Sequence, residues 1–133
     1  MKKNTKLGIA LFGASLMLAS NAYAASTNFS GNYTALVDTV NTNSVTDGTL
    51  TMNLTHSRDT AKTSGYDYKV TAQPLVKGIL GWGTAGTKAR FATSTKSKTV
   101  KHVFSGLKSD SYRLRFESNK SDGTKFYVSG NFD

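Results

Sequence analysis

Residues 111–133 read SYRLRFESNKSDGTKFYVSGNFD, two alternating apolar and polar runs on either side of Asp122-Gly123. Period-two alternation marks a strand with one buried face, and Asp-Gly between two such runs signals a chain reversal. Two hairpin registers compete. A two-residue turn sets Leu114 opposite Asn131 and Phe116 opposite Ser129, which mixes apolar and polar side chains on one face. A three-residue loop with Gly123 left-handed pairs Ser118 with Phe126, Phe116 with Val128, Leu114 with Gly130 and Tyr112 with Phe132. The inner face is then almost wholly apolar, and this is the register expected.

Working back along the chain, the closing VSGNF (Val128–Phe132) echoes FSGNY (Phe29–Tyr33). In both, glycine stands in the apolar phase, where it leaves room for a neighbour's close approach or for a coiled strand. The echo therefore reads as two similar strands, neighbours in one sheet, with Ser and Asn facing water. Leu50, Met52, Leu54 and His56 alternate with polar residues, as do Tyr66, Tyr68, Val70 and Ala72 up to Pro74, which is expected to end its strand or mark an edge. Asp47-Gly48 is a second turn, joining the Leu50 strand to the one before it. The apolar phase switches between Tyr33 and Val40, which suggests a bulge or bend near Val37–Thr39.

Strands around Tyr33, Leu50, Tyr68, Phe91, His102, Leu114 and Val128, short and separated by turn signals, predict an all-β chain: a single antiparallel β-sandwich, or a small barrel, of roughly seven strands. The stretch GLKSDSYRLRF, Gly106–Phe116, is similar in rhythm to the final hairpins of secreted bacterial β-sandwich domains. That resemblance implies architecture and carries no function.

The first 24 residues carry Lys2, Lys3 and Lys6, an apolar run from Leu7 to Leu18, and Ala22-Tyr23-Ala24. They read as a secretory signal peptide cleaved after Ala24, so the expected location is extracellular and residues 25–133 form one domain. There is no cysteine, which excludes disulfide staples, thiolate catalysis and cysteine-ligated metal. Stability must come from packing and sheet hydrogen bonds.

The formal charge is +9, of which the three leader lysines supply three. The rest is concentrated in Tyr68–Ser109, which holds eight cations and no acid. Such asymmetry speaks of partners rather than of fold. Lys88, Arg90, Lys96, Lys98 and Lys101 crowd into KARFATSTKSKTVKH, and a turn over Thr95–Thr99 would gather them at one end of the fold. Ahead of them VKGILGWGTAGTKARF carries Ile79, Leu80 and the sole tryptophan, Trp82. Read as a glycine-rich loop, its tip could enter a membrane interface or stack on a sugar ring; the plainer expectation is that Ile79, Leu80 and Trp82 plug one end of the core. GWGTAG matches a dinucleotide fingerprint only formally, because no helix follows it.

Catalytic signatures are absent. His56 and His102 both fall in apolar phases, which points to hydrogen-bonded core imidazoles; the sharper alternative orients His56 against Asp38 or Asp59 as a base. No carboxylate pair stands out, no metal or cofactor is called for, and nucleic acid is not expected because aromatics do not interleave with the cations. The reading is a secreted, non-enzymatic β-sandwich that binds an anionic cell-surface polymer or membrane surface through Trp82, Lys88, Arg90, Lys96, Lys98 and Lys101. A bacteriocin-like toxin acting on membranes and a secreted hydrolase inhibitor are the alternatives.

Overall fold

The computed structural model describes residues 26–133 throughout, together with the backbone of 5–9 and 16–20, which forms a two-stranded antiparallel pair. The expected cleavage point after Ala24 lies outside the described residues. Between 26 and 133 there are ten strands: Thr27–Tyr33 (β1), Leu36–Asp38 (β2), Asn43–Val45 (β3), Leu50–Arg58 (β4), Lys69–Gly78 (β5), Gly81–Thr84 (β6), Ala89–Ala92 (β7), Lys98–Phe104 (β8), Asp110–Ser118 (β9) and Phe126–Phe132 (β10).

They form two antiparallel sheets. The four-stranded sheet runs β8-β4-β10-β1; in the six-stranded sheet β9 and β5 are central, with β2 and β3 along the free side of β9 and β6 and β7 along the free side of β5. The apolar phases meet between the sheets. Phe29, Leu50, Met52, Leu54, Phe126, Val128 and Phe132 from one sheet face Val37, Val70, Tyr112, Leu114 and Phe116 from the other. Phe29 and Phe116 touch across the core with ring centroids 5.1 Å apart. The all-β antiparallel sandwich is thus the fold.

The connections differ from those expected. β9 and β10 do not pair: β9 lies between β5 and the β2/β3 strands, and β10 lies between β4 and β1 in the opposite sheet. Residues 119–125 are an arch from sheet to sheet, and the Asp47-Gly48 turn likewise carries the chain from β3 in one sheet to β4 in the other. The phase switch after Tyr33 is a third crossing of this kind, with Tyr33 inward from one sheet and Val37 inward from the other. Inward phases survive because an arch and a hairpin both turn the apolar residues of two strands toward one interior. Only the pairing partners change.

The terminal echo is a pair of neighbours: Ser30 faces Ser129, Phe29 faces Gly130 and Gly31 faces Val128. Pro74 does not end its strand, which continues to Gly78. Its carbonyl accepts from Ala85 N at 2.9 Å, and an antiparallel residue points N and C=O to the same side, so its missing N–H faces the irregular stretch between β6 and β7 rather than β9. The Gln73 side chain closes that gap, its amide donating to the carbonyls of Ala85 and Gly86 at 2.8 and 3.3 Å.

Candidate functional site

The outward phase of the four-stranded sheet is built almost entirely from Asn, Ser and Thr. Pairing aligns them in rows across the strands: Ser30, Ser129, Thr55 and Thr99 in one, Asn28, Asn131, Asn53 and Lys101 in the next, Asn32, Tyr127 and Ser57 in a third. Within the rows Asn53 Nδ2 donates to Asn131 Oδ1 at 2.9 Å, and the Thr55 and Thr99 hydroxyls share a 2.8 Å hydrogen bond. A shallow depression of about 250 Å³ opens on this face, lined among others by Ser30, Asn32, Thr55, Ser57, Ser97, Tyr127 and Ser129.

Tyr127 is 38% exposed, and its hydroxyl donates to Asp59 Oδ1 at 3.0 Å. That bond, with burial second, raises the phenol pKa, so the group stays a neutral hydroxyl at physiological pH. Beneath the depression His56 is buried, with Nδ1 and the Thr93 hydroxyl 3.0 Å apart. Burial first and then the Lys98 charge lower its pKa, which leaves the ring neutral near pH 7. It is the hydrogen-bonded core imidazole expected. The oriented-base alternative is not formed, because Asp59 serves Tyr127 and Asp38 makes a bidentate pair with Arg115 at 2.7 and 3.0 Å.

The six residues singled out from sequence divide into separate groups. Lys96 and Lys98 are the chain neighbours of Ser97, which lines the depression; Lys98 pairs opposite the buried His56, in the inward phase at the end of its strand, while Lys101 lies on the outer face beside Asn53. Residues 93–97 bridge β7 in one sheet to β8 in the other, in place of the expected turn between paired strands. Arg90 lies on the edge strand β7 of the six-stranded sheet, opposite Thr71, and Lys88 is exposed just before it. Among the described residues the ion pairs are Lys69–Asp67 and Arg115–Asp38, so these five cations have no carboxylate partner there.

Trp82 stands apart, on the outer face of the six-stranded sheet opposite Lys77. Eight residues of β5 separate that pair from the Lys69–Ala92 pair next to the 93–97 bridge, roughly 26 Å of strand. Indole and Lys96 therefore do not share one patch. The cation that meets Trp82 is Arg113, whose guanidinium carbon lies 4.1 Å from the ring centroid. The expected core plug is also absent: Ile79 and Leu80 form the tip of a β5–β6 hairpin and are fully exposed, at 102% and 101%.

Sequence reasoning missed the Asn/Ser/Thr face. Its signal was present, since the outward phases of β1, β4 and β10 carry few of the charges usual on a solvated strand. Only strand pairing turns those scattered residues into rows.

No protein-family profile and no curated protein sequence matches the chain. Among solved structures, the CBM22-1 xylan-binding domain of Paenibacillus barcinonensis Xyn10C is similar with a TM-score of 0.50 at 10% identity, over 98% of this chain and 83% of that one. The N-terminal cellulose-binding domain of Cellulomonas fimi β-1,4-glucanase C gives 0.49 at 15% identity, over 94% and 81%. The family 11 carbohydrate-binding module of the cellulosomal cellulase Lic26A-Cel5E of Clostridium thermocellum gives 0.44 at 15% identity, over 98% and 80%. In its fold, the chain resembles carbohydrate-binding modules.

Proposed function

We propose that this chain is an exported, non-catalytic module that binds an acidic polysaccharide on the outer face of its four-stranded sheet, after removal of residues 1–24. The observation that carries the reading is the polar depression itself, with Tyr127 in it, Lys101 on the same face, and Lys96 and Lys98 adjoining Ser97 in the chain. Hydroxyls both donate and accept, and a side-chain amide offers one group of each kind, so rows of them match a ligand bearing a hydroxyl on nearly every carbon. An exposed phenol ring adds an apolar surface for the C–H face of a sugar. The lysines favour a polymer carrying carboxylates or phosphates, and their attraction weakens with salt. The likeness in fold to a xylan-binding domain supports the ligand class.

Affinity electrophoresis and calorimetry against matched neutral and acidic polysaccharides test this. Binding should favour the acidic member at low salt and lose roughly tenfold in the combined Lys96→Ala, Lys98→Ala, Lys101→Ala variant, from the few tenths to one kcal/mol that each exposed charge contributes. Tyr127→Ala should weaken binding to neutral and acidic glycans alike. Binding that ignores Tyr127, or a folded protein that retains no polysaccharide in either panel, removes the proposal.

A further inference from the structure

The β5–β6 hairpin carries a feature that the glycan-facing sheet does not use. Its tip is Gly78-Ile79-Leu80-Gly81, with both aliphatic side chains wholly in water. Turn geometry does not demand them. The positive φ at this reversal falls on Gly81, at +114°, so polar residues would serve at 79 and 80. Two adjacent exposed aliphatics add nothing to the core and cost solubility, which points to a partner phase that receives them.

The tip's surroundings identify that phase. Lys77 and Trp82 form a cross-strand pair two residues behind the tip, about 7 Å down the hairpin, and Arg113 stacks on the indole. An indole and cations set just behind an apolar point match the layering of a bilayer, where tryptophan and lysine sit at headgroup level and an apolar element penetrates about 5–10 Å. The hairpin belongs to the acid-free stretch Tyr68–Ser109, so Lys77 faces phosphate without a competing carboxylate on its own strand. Lys108 and Asp110, in and beside the adjoining loop, offset one another. A folded protein partner fits less well, because two aliphatic side chains and part of one indole fall far short of the roughly 1,200 Å² that a specific protein interface buries. A fluid hydrocarbon phase needs no complementary shape.

We propose that Ile79 and Leu80 insert into the interfacial region of a phospholipid bilayer, with Lys77, Trp82 and Arg113 at the level of the headgroups. The contact is a reversible anchor, since so small an apolar tip binds only marginally without help from charge. It is independent of the glycan reading, because it uses the other sheet.

The full chain contains one tryptophan, so its fluorescence reports this hairpin alone. Titration with vesicles of equal parts phosphatidylcholine and phosphatidylglycerol should shift Trp82 emission to the blue, and lipids brominated on the acyl chain should quench it. The combined Ile79→Ser, Leu80→Ser variant, which alters only exposed side chains, should keep its unfolding midpoint and lose the shift, with a partition coefficient lower by roughly tenfold or more. Lys77→Gln should weaken binding to the mixed vesicles and leave the weaker binding to pure phosphatidylcholine unchanged. Equal partitioning of wild type and double variant would assign vesicle binding to the leader or another surface and overturn the proposal. So would a concentration-dependent dimer, seen by sedimentation, that the serine variant abolishes while vesicles leave Trp82 emission unmoved.

Discussion

Gly130 stands where the two halves of the Ser-Gly-Asn echo meet. It lies between Leu54 on β4 and Phe29 on β1, with φ +145°, and a Cβ there would sit 1.9 Å from the Asn53 carbonyl oxygen. Sequence placed glycine in the apolar phase and inferred a close neighbour. The neighbour is backbone of β4 rather than the Leu114 side chain, because β9 belongs to the other sheet. Gly130→Val must push β10 off β4 at mid-sheet and should cost about 2–3 kcal/mol or more, read as a lower urea midpoint at unchanged surface charge. A variant as stable as the wild type would show that the two strands do not approach so closely. The Asn and Ser residues around it show the opposite limit. Each was legible as outward-facing, and none was legible as part of a row, since a row is a property of several strands.

Among the elements, the arches separate what was readable from what was not. Asp-Gly at 47–48 and at 122–123 marks true reversals, with Gly48 and Gly123 at φ +86° and +92°. Asp47 behaves as a turn residue, accepting from Thr49 N at 3.1 Å. Asp122 does more. It accepts from the Tyr68 hydroxyl, from Thr63 Oγ1 at 2.7 Å and from Thr124 N at 3.0 Å, which binds the 119–125 arch to the arch that leads into β5. Desolvation raises its pKa, but the hydrogen bonds from Tyr68, Thr124 and Thr63 outweigh it and hold the carboxyl well below its ordinary range. A carboxyl depressed on folding contributes stability that is fully present above its unfolded pKa, near 3.9, and is lost as pH falls through the folded value. Asp122→Asn should therefore lower the urea midpoint at pH 7, and the gap to wild type should narrow by about pH 3. An equal gap at both pH values would mean that the charge is not what joins the arches. The stretch read as a loop, 76–91, contains the tip and second strand of the one two-stranded hairpin between residues 26 and 133, because glycines hid its alternation while pairing with β5 supplied its hydrogen bonds.

Taken as a whole, the molecule threads back and forth between its sheets, and most strands pair with partners distant in sequence, as β10 does with β1 and β9 does with β5. Non-local pairing must pay loop-closure entropy before it gains contacts, so refolding from urea should take milliseconds to seconds, on the order seen for β-sandwiches, rather than microseconds. Stopped-flow refolding complete within roughly 100 μs would contradict this topology. The sequence by itself determined that the chain is all-β, which residues of the clearly alternating runs face inward, that it reverses at the two Asp-Gly sites, and that its excess charge lies in the middle, because side-chain period and turn chemistry are local properties. Apart from the two echoing terminal strands, the tertiary structure alone decided which strands are neighbours. From that followed the separation of Lys96, Lys98 and Lys101 from Trp82, the projection of Ile79 and Leu80 into water and the assembly of Asn, Ser and Thr into one face. Arch and hairpin bury the same alternating pattern, and only the closure of two sheets around a shared core distinguishes them.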